Sequence, residues 1–186
     1  MAESPAFAAA PSAHNFAQLA PLVSQALPKT GGDVDTSEKL HTADLAGAKV
    51  LIVDDDIRNI YSLTSVLETY NIQVLHAERG REGIAMLEQA PDTDVALIDI
   101  MMPEMDGYET MREIRKNPAI ADIPLISVTA KAMKGDRQKC LDAGASDYIA
   151  KPVDLDLLLA LLRVWITRSR SRPAATANDK FSVALN

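Results

Sequence analysis

Five polar residues stand where short apolar runs end. Asp54 and Asp55 follow Val50-Leu51-Ile52-Val53, and Asp99 closes Val95-Ala96-Leu97-Ile98. Thr129 follows the run that starts at Ile123, and Lys151 follows Asp147 to Ala150. A charge at the end of a buried run is costly unless something pairs with it. Three carboxylates drawn together repel, and at least one protonates unless a cation intervenes. A hard dication with oxygen ligands resolves this. Mg²⁺ suits the set best, since it takes one or two carboxylates directly and keeps water and phosphate oxygens for the rest. Such an ion cancels charge on an incoming phosphoryl group. Lys151 can neutralise a second phosphoryl oxygen and Thr129 can donate to a third. A carboxylate in line with a phosphoryl donor acts as a nucleophile and yields an aspartyl phosphate. Asp99, on the central run, is the candidate nucleophile.

These residues converge only if the runs are neighbouring strands. The apolar runs alternate with segments of helical period. Expected helices cover Ile57 to Leu67, Arg81 to Gln89, Tyr108 to Lys116, Asp136 to Ala143 and Asp154 to Thr167. Expected strands cover Lys49 to Val53, Ile72 to His76, Val95 to Asp99, Ile123 to Val128 and Asp147 to Ala150. Five strand-then-helix units with apolar strands predict an α/β fold, a doubly wound parallel sheet covered on both faces. The order 2-1-3-4-5 fits, and it places the site at the carboxyl ends of the strands. Gly144 suits a left-handed helix end, and Asp56 and Asp154 suit helix N-caps. Asp56 could instead serve as an active-site acid.

Composition sets the frame. The chain has 186 residues and 47% apolar content, enough for one ordinary domain with extensions. Residues 1–46, rich in Ala, Pro and Ser, read as a disordered arm, with Asn15 to Leu27 as a marginal helix. The folded domain is expected over 47–167, and 168–186 as a disordered tail. The net charge of −7 and an acidic body disfavour nucleic acid. No run is long enough to span a membrane, and no secretory signal is visible. With a single cysteine, Cys140, a reducing cytoplasmic setting is expected.

The pieces VLIVDDD, ALIDIMMPEMDG, ISVTA and GASDYIAKP, in that order, resemble the receiver domain of response regulators in two-component signalling, over about residues 48–167. IRNIYSLTSVLE and AKAMKGDRQKCLDAGASDYIAKPVD are most similar to receivers attached to hybrid histidine kinases. The resemblance implies the flavodoxin-like receiver fold with Mg²⁺ as cofactor. It implies that Asp99 is the phosphoacceptor and Asp55 a direct Mg²⁺ ligand. Asp54 then acts through water, and the backbone carbonyl of Met101 is a further ligand. Thr129 matches the switch hydroxyl, Tyr148 the aromatic switch residue and Lys151 the family lysine, followed by a cis bond to Pro152. The implied donor is a phosphohistidine on a histidine kinase or phosphotransfer protein. The implied response is a change across the fourth helix, fifth strand and fifth helix, with slow hydrolysis of the acyl phosphate. Histidine kinase activity is implied only for a longer hybrid kinase; otherwise the chain reads as a stand-alone regulator without an output domain.

Other readings bear on the surface. On the first helix Ile57, Ile60, Tyr61, Thr64 and Leu67 are expected to face inward. Asn59, Ser62, Leu63 and Val66 are then candidates for docking the donor's helix. The last helix, LDLLLALLRVWIT, is apolar nearly all round, which predicts burial against a partner, a second copy, a neighbouring domain or the arm. Ala130 to Gly135 is the expected mobile segment. Asp106-Gly107 reads as a structural turn, Cys140 as an inert thiol, the three histidines as surface or structural residues, and the methionines as packing. A phosphatase with an Asp nucleophile usually wants a second acid two residues on, where Met101 stands. A flavin or nucleotide module wants a glycine-rich loop after the first strand, where three aspartates stand instead.

Overall fold

A computed structural model of the chain describes residues 44–130 and 134–171. The arm, the Asn15–Leu27 segment, the tail beyond Ser171 and the centre of the Ala130–Gly135 loop lie outside the described residues. The elements run β1 Lys49–Val53, α1 Ile57–Thr69, β2 Gln73–Ala77, α2 Gly80–Gln89, β3 Val95–Asp99, α3 Gly107–Lys116, β4 Leu125–Thr129, α4 Lys134–Asp142, β5 Asp147–Ala150 and α5 Leu155–Arg170. All strand pairings are parallel, in the order β2-β1-β3-β4-β5. The doubly wound architecture read from the alternation is therefore present. Boundaries move by a few residues. β4 starts after Pro124, whose missing N–H cannot join the ladder, and α5 runs three residues past Thr167.

Strand periodicity explains the two cores. On β1, Val50 and Ile52 face one side and Leu51 and Val53 the other. The first side packs with α1 and α5, the second with α2, α3 and α4. The central strands β3 and β4 are buried along their whole length, whereas the edge strand β2 is not. Leu45, before β1, is fully buried in the first core. Among the described residues no helix is long and apolar enough to cross a membrane.

One surface expectation is corrected and another is narrowed. On α1 the buried residues are Ile60, Leu63 and Leu67, while Ile57 and Tyr61 are 54% and 74% exposed. The helix carries two adjacent apolar stripes. Periodicity alone does not choose between them; the position of the sheet does. Leu63 is therefore core and cannot dock a partner, and Val66 is only half-exposed. On α5 the surplus of apolar residues is taken up within the domain. Leu158, Leu159, Leu161, Leu162, Trp165 and Ile166 are buried against the sheet and α1, leaving Leu155, Leu157 and Val164 exposed.

Candidate functional site

The β1 end shows how the acids are presented. The Asp54 amide still donates to Ala77 O of β2, at 3.2 Å, and the chain then turns away from the sheet. Asp54 Oδ1 accepts the Asp56 amide at 2.9 Å and fixes that turn. Asp56 caps α1, accepting the Arg58 amide at 3.0 Å, and the Arg58 guanidinium grips its two oxygens at 2.9 and 2.6 Å. That grip, with the amide bond, lowers the Asp56 pKa to about 2. Asp56 is thus a cap and not an active-site acid.

β3 delivers Asp99 beside it. The Ile100 amide bonds Val128 O of β4, and the Gly107 amide closes back onto Ile100 O at 3.1 Å. The connection turns at Glu104, which has φ +65°. It ends at Asp106, whose side chain caps α3 by accepting the Glu109 amide at 2.7 Å. Asp106-Gly107 is structural, as its sequence suggests.

Lys151, just after β5, crosses to both acids. Its Nζ lies 2.9 Å from Asp54 Oδ2 and 3.0 Å from Asp99 Oδ1, and both carboxylates are only 4% exposed. The directed hydrogen bond goes to Asp54. Asp99 Oδ1 receives the ammonium's charge but no well-aligned donor, although it is buried. Burial pushes the Asp99 carboxyl above the usual carboxylate range, Lys151 pulls against that, and the Asp54 charge adds to the push. For Lys151, burial opposes the charge, but Asp54 and Asp99 outweigh it and raise its pKa. The exposed Asp55 completes the group, and one oxygen from each of Asp54, Asp55 and Asp99 falls within a 4.8 Å set.

Thr129 ends β4, buried, with its carbonyl accepting the Lys151 amide at 2.7 Å. In register Asp99 faces Val128 and Thr129 faces Ala150, so the strand ends are adjacent. The Lys151–Pro152 bond is cis. Met101 is 60% exposed beside the acids. It lines a cleft of about 450 Å³ together with Asp55, Met102, Asp106 and Tyr108. Tyr148, on β5 three residues before Lys151, is half-buried, with Arg137 Cζ 5.7 Å from its ring centroid. Ser62 is exposed on α1, away from the core. Asn59 belongs to the site itself, its Nδ2 lying 3.1 and 3.2 Å from the two Asp54 oxygens. Sequence reasoning placed Asn59 only on a docking face. The available signal was its spacing, since the first turn of α1 begins just beyond Asp54 and carries Asn59 back over it. Elsewhere Cys140 is buried and His76 lies exposed on β2.

The group suits a hard cation: three carboxylates whose charge Lys151 offsets only in part, and a buried Asp99 oxygen whose one neighbouring charge is that ammonium. The comparisons agree with this chemistry. The family profile "Response regulator receiver domain" matches residues 50–163. Protein PilH of Pseudomonas aeruginosa is 42% identical over 112 residues, covering 60% of this chain and 92% of PilH. Several other curated relatives are longer, and the chain spans between 6% and 54% of them. Among solved structures, the receiver domain of the sensor histidine kinase PA1611 from Pseudomonas aeruginosa has a magnesium ion coordinated in its active-site cleft. It aligns with TM-score 0.61 and 34% identity over 66% of this chain and 99% of that one. A Saccharomyces cerevisiae co-crystal pairs the phosphotransfer protein Ypd1 with the receiver domain of Ssk1. This chain aligns to it with TM-score 0.61 and 26% identity, over 66% of this chain and 91% of that one.

Proposed function

Since the chain belongs to the response-regulator receiver family of two-component signalling, we propose that it accepts a phosphoryl group on Asp99 from a phosphohistidine. The observation that carries the reading is Asp99 itself: a buried carboxylate at the end of a central strand, 3.0 Å from Lys151, with two further carboxylates beside it. An Asp99 oxygen attacks phosphorus, the N–P bond of the donor breaks, and the imidazole leaves as the acyl phosphate forms. Asp55, Asp99 and the Met101 carbonyl would hold Mg²⁺ directly, with Asp54 acting through water. When bound there, the ion would supply positive charge toward the phosphoryl oxygens. Lys151 compensates another oxygen, and Thr129 donates its hydroxyl to a third. Thr129 would shift toward the new group, Tyr148 would turn inward, and α4, β5 and α5 would present a changed face.

The donor would be a helix of a histidine kinase or phosphotransfer protein. The exposed stripe that favours this on α1 is Ile57, Tyr61 and Ser62, in place of Leu63 and Val66. Domain limits near 47 and 167 and membership of a hybrid kinase belong to the same proposal. Intact mass after incubation with acetyl phosphate tests the chemistry. One phosphoryl group should appear on the wild type with Mg²⁺ and be absent without Mg²⁺ or in Asp99→Asn. Incorporation by Asp99→Asn, or incorporation independent of Mg²⁺, would overturn the assignment.

A further inference from the structure

The three aspartates of the acidic group are not equivalent. Asp54 Oδ1 accepts the Asp56 amide at 2.9 Å and Asn59 Nδ2 at 3.1 Å. Its Oδ2 accepts Lys151 Nζ at 2.9 Å and Asn59 Nδ2 at 3.2 Å. A carboxylate offers about four lone-pair directions. Three protein groups hold both Asp54 oxygens, with Asn59 Nδ2 shared between them, which leaves room to accept a water but turns the carboxylate from direct ligation. Because a carboxylate only accepts, it is the amide nitrogen of Asn59 that faces Asp54. Asp55 is exposed, and among the described residues its side chain has no hydrogen bond or ion pair. Asp99 has one buried oxygen without a directed donor. Asp55 is therefore open to a cation, Asp99 Oδ1 is shared only with the Lys151 ammonium at 3.0 Å, and Asp54 is held in place by the protein.

We propose that Asn59 is a positioning residue that ties Asp54 back, so that it meets the metal ion only through water, and thereby favours Mg²⁺ over Ca²⁺. The inference rests on reading the cleft as a metal site. Mg²⁺ keeps several waters and tolerates few direct carboxylates, whereas Ca²⁺ takes six to eight oxygens in looser geometry. A free Asp54 would offer the extra direct oxygens that suit Ca²⁺. Asn59 is the donor whose loss frees Asp54 at least cost to the fold, because it is half-exposed and touches both oxygens.

The test is calorimetric titration of the full chain with MgCl₂ and with CaCl₂, on wild type, Asn59→Ala and Asn59→Gln. The alanine variant should bind Mg²⁺ about tenfold more weakly, with Ca²⁺ affinity changed less than about threefold, so the Mg²⁺ preference drops. Asn59→Gln, which keeps an amide donor, should restore most of that preference. An unchanged Mg²⁺ affinity in Asn59→Ala, or an equal loss of both ions, would overturn the role given to Asn59 and leave the metal site standing. A wild type that binds neither ion would overturn the metal site and this inference with it.

Discussion

Gly107→Ala should disable Asp99 without altering its side chain. Gly107 opens α3 directly against the end of β3. A Cβ built there would lie 2.2 Å from Asp99 O, 2.8 Å from Ile100 Cα and 3.0 Å from the Asp99 carbonyl carbon. All three are main-chain atoms, so no side chain can rotate out of the way. A carbon–oxygen contact needs about 3.3 Å. Strand end and helix start must therefore part by about 1 Å, and the 3.1 Å bond from the Gly107 amide to Ile100 O is lost or stretched. Overpacking of this kind costs about 1–3 kcal/mol, a fall in melting temperature of roughly 5–15 °C for a domain of this size. A displacement of about 1 Å at a reacting atom costs about a hundredfold in rate. The assay is the rate of phosphoryl incorporation from acetyl phosphate with Mg²⁺, read by intact mass beside a thermal melt. Gly83→Ala is the control. Its Cβ would meet Val53 Cγ2 at 2.7 Å, a side chain that can yield, on the opposite face of β1 from α1. It should lower the melting temperature yet leave the rate within about threefold. A wild-type rate in Gly107→Ala, or an equal slowing in Gly83→Ala, would refute the argument from main-chain crowding.

Four further outcomes follow from named contacts. Leu63→Ala should cost about 2–5 kcal/mol in urea unfolding, since Leu63 is core. Tyr61→Ala, at a 74% exposed position, should change stability by less than about 0.5 kcal/mol while slowing phosphoryl transfer from a histidine donor more than from acetyl phosphate. Arg115→Ala should lower stability by about 3 kcal/mol or more. The guanidinium donates to Gly144 O, Ala121 O and Ile123 O at 2.6–2.9 Å, and those carbonyls would lose their partner. Asp147→Asn should raise the melting temperature at pH 7. Burial pushes the Asp147 carboxyl up, so folding favours its protonated form and the charged form costs stability above that raised pKa. The variant's advantage should shrink as pH falls toward 4 and vanish below the unfolded value of about 3.9. An Asn oxygen keeps the shorter of the two bonds Asp147 accepts, from the Tyr148 amide at 2.9 Å, and gives up the 3.4 Å bond from Trp165 Nε1–H.

The sheet order and the meeting of Asp54, Asp55, Asp99 and Lys151 were legible because strand parity and apolar runs leave few topologies, and every one of these residues ends or follows a run. The inward face of α1 was not. Ile57-Tyr61-Thr64 and Ile60-Leu63-Leu67 have equal periodicity, and only the height of the helix over β1 separates them. The role of Asn59 was hidden for another reason. Its importance lies in which carboxylate it touches, and that depends on how steeply α1 leaves the Asp56 cap. Gly107 looked like a turn residue; its reason is lack of room, which only the packing of α3 on β3 reveals.

Asp94 lies just ahead of β3, at the end of the sheet remote from the acids. Its carboxylate accepts the Lys49 amide at 2.9 Å and meets the Arg170 guanidinium at 3.3 Å. The first residue of the sheet and the last residue of α5 are thus fastened to one point, about 16 Å of strand away from Asp99. Covalent traffic enters and leaves through a single doorway, while phosphoryl traffic uses the opposite pole. A domain wired this way meets whatever precedes β1 and follows α5 at one pole, the pole opposite its acids.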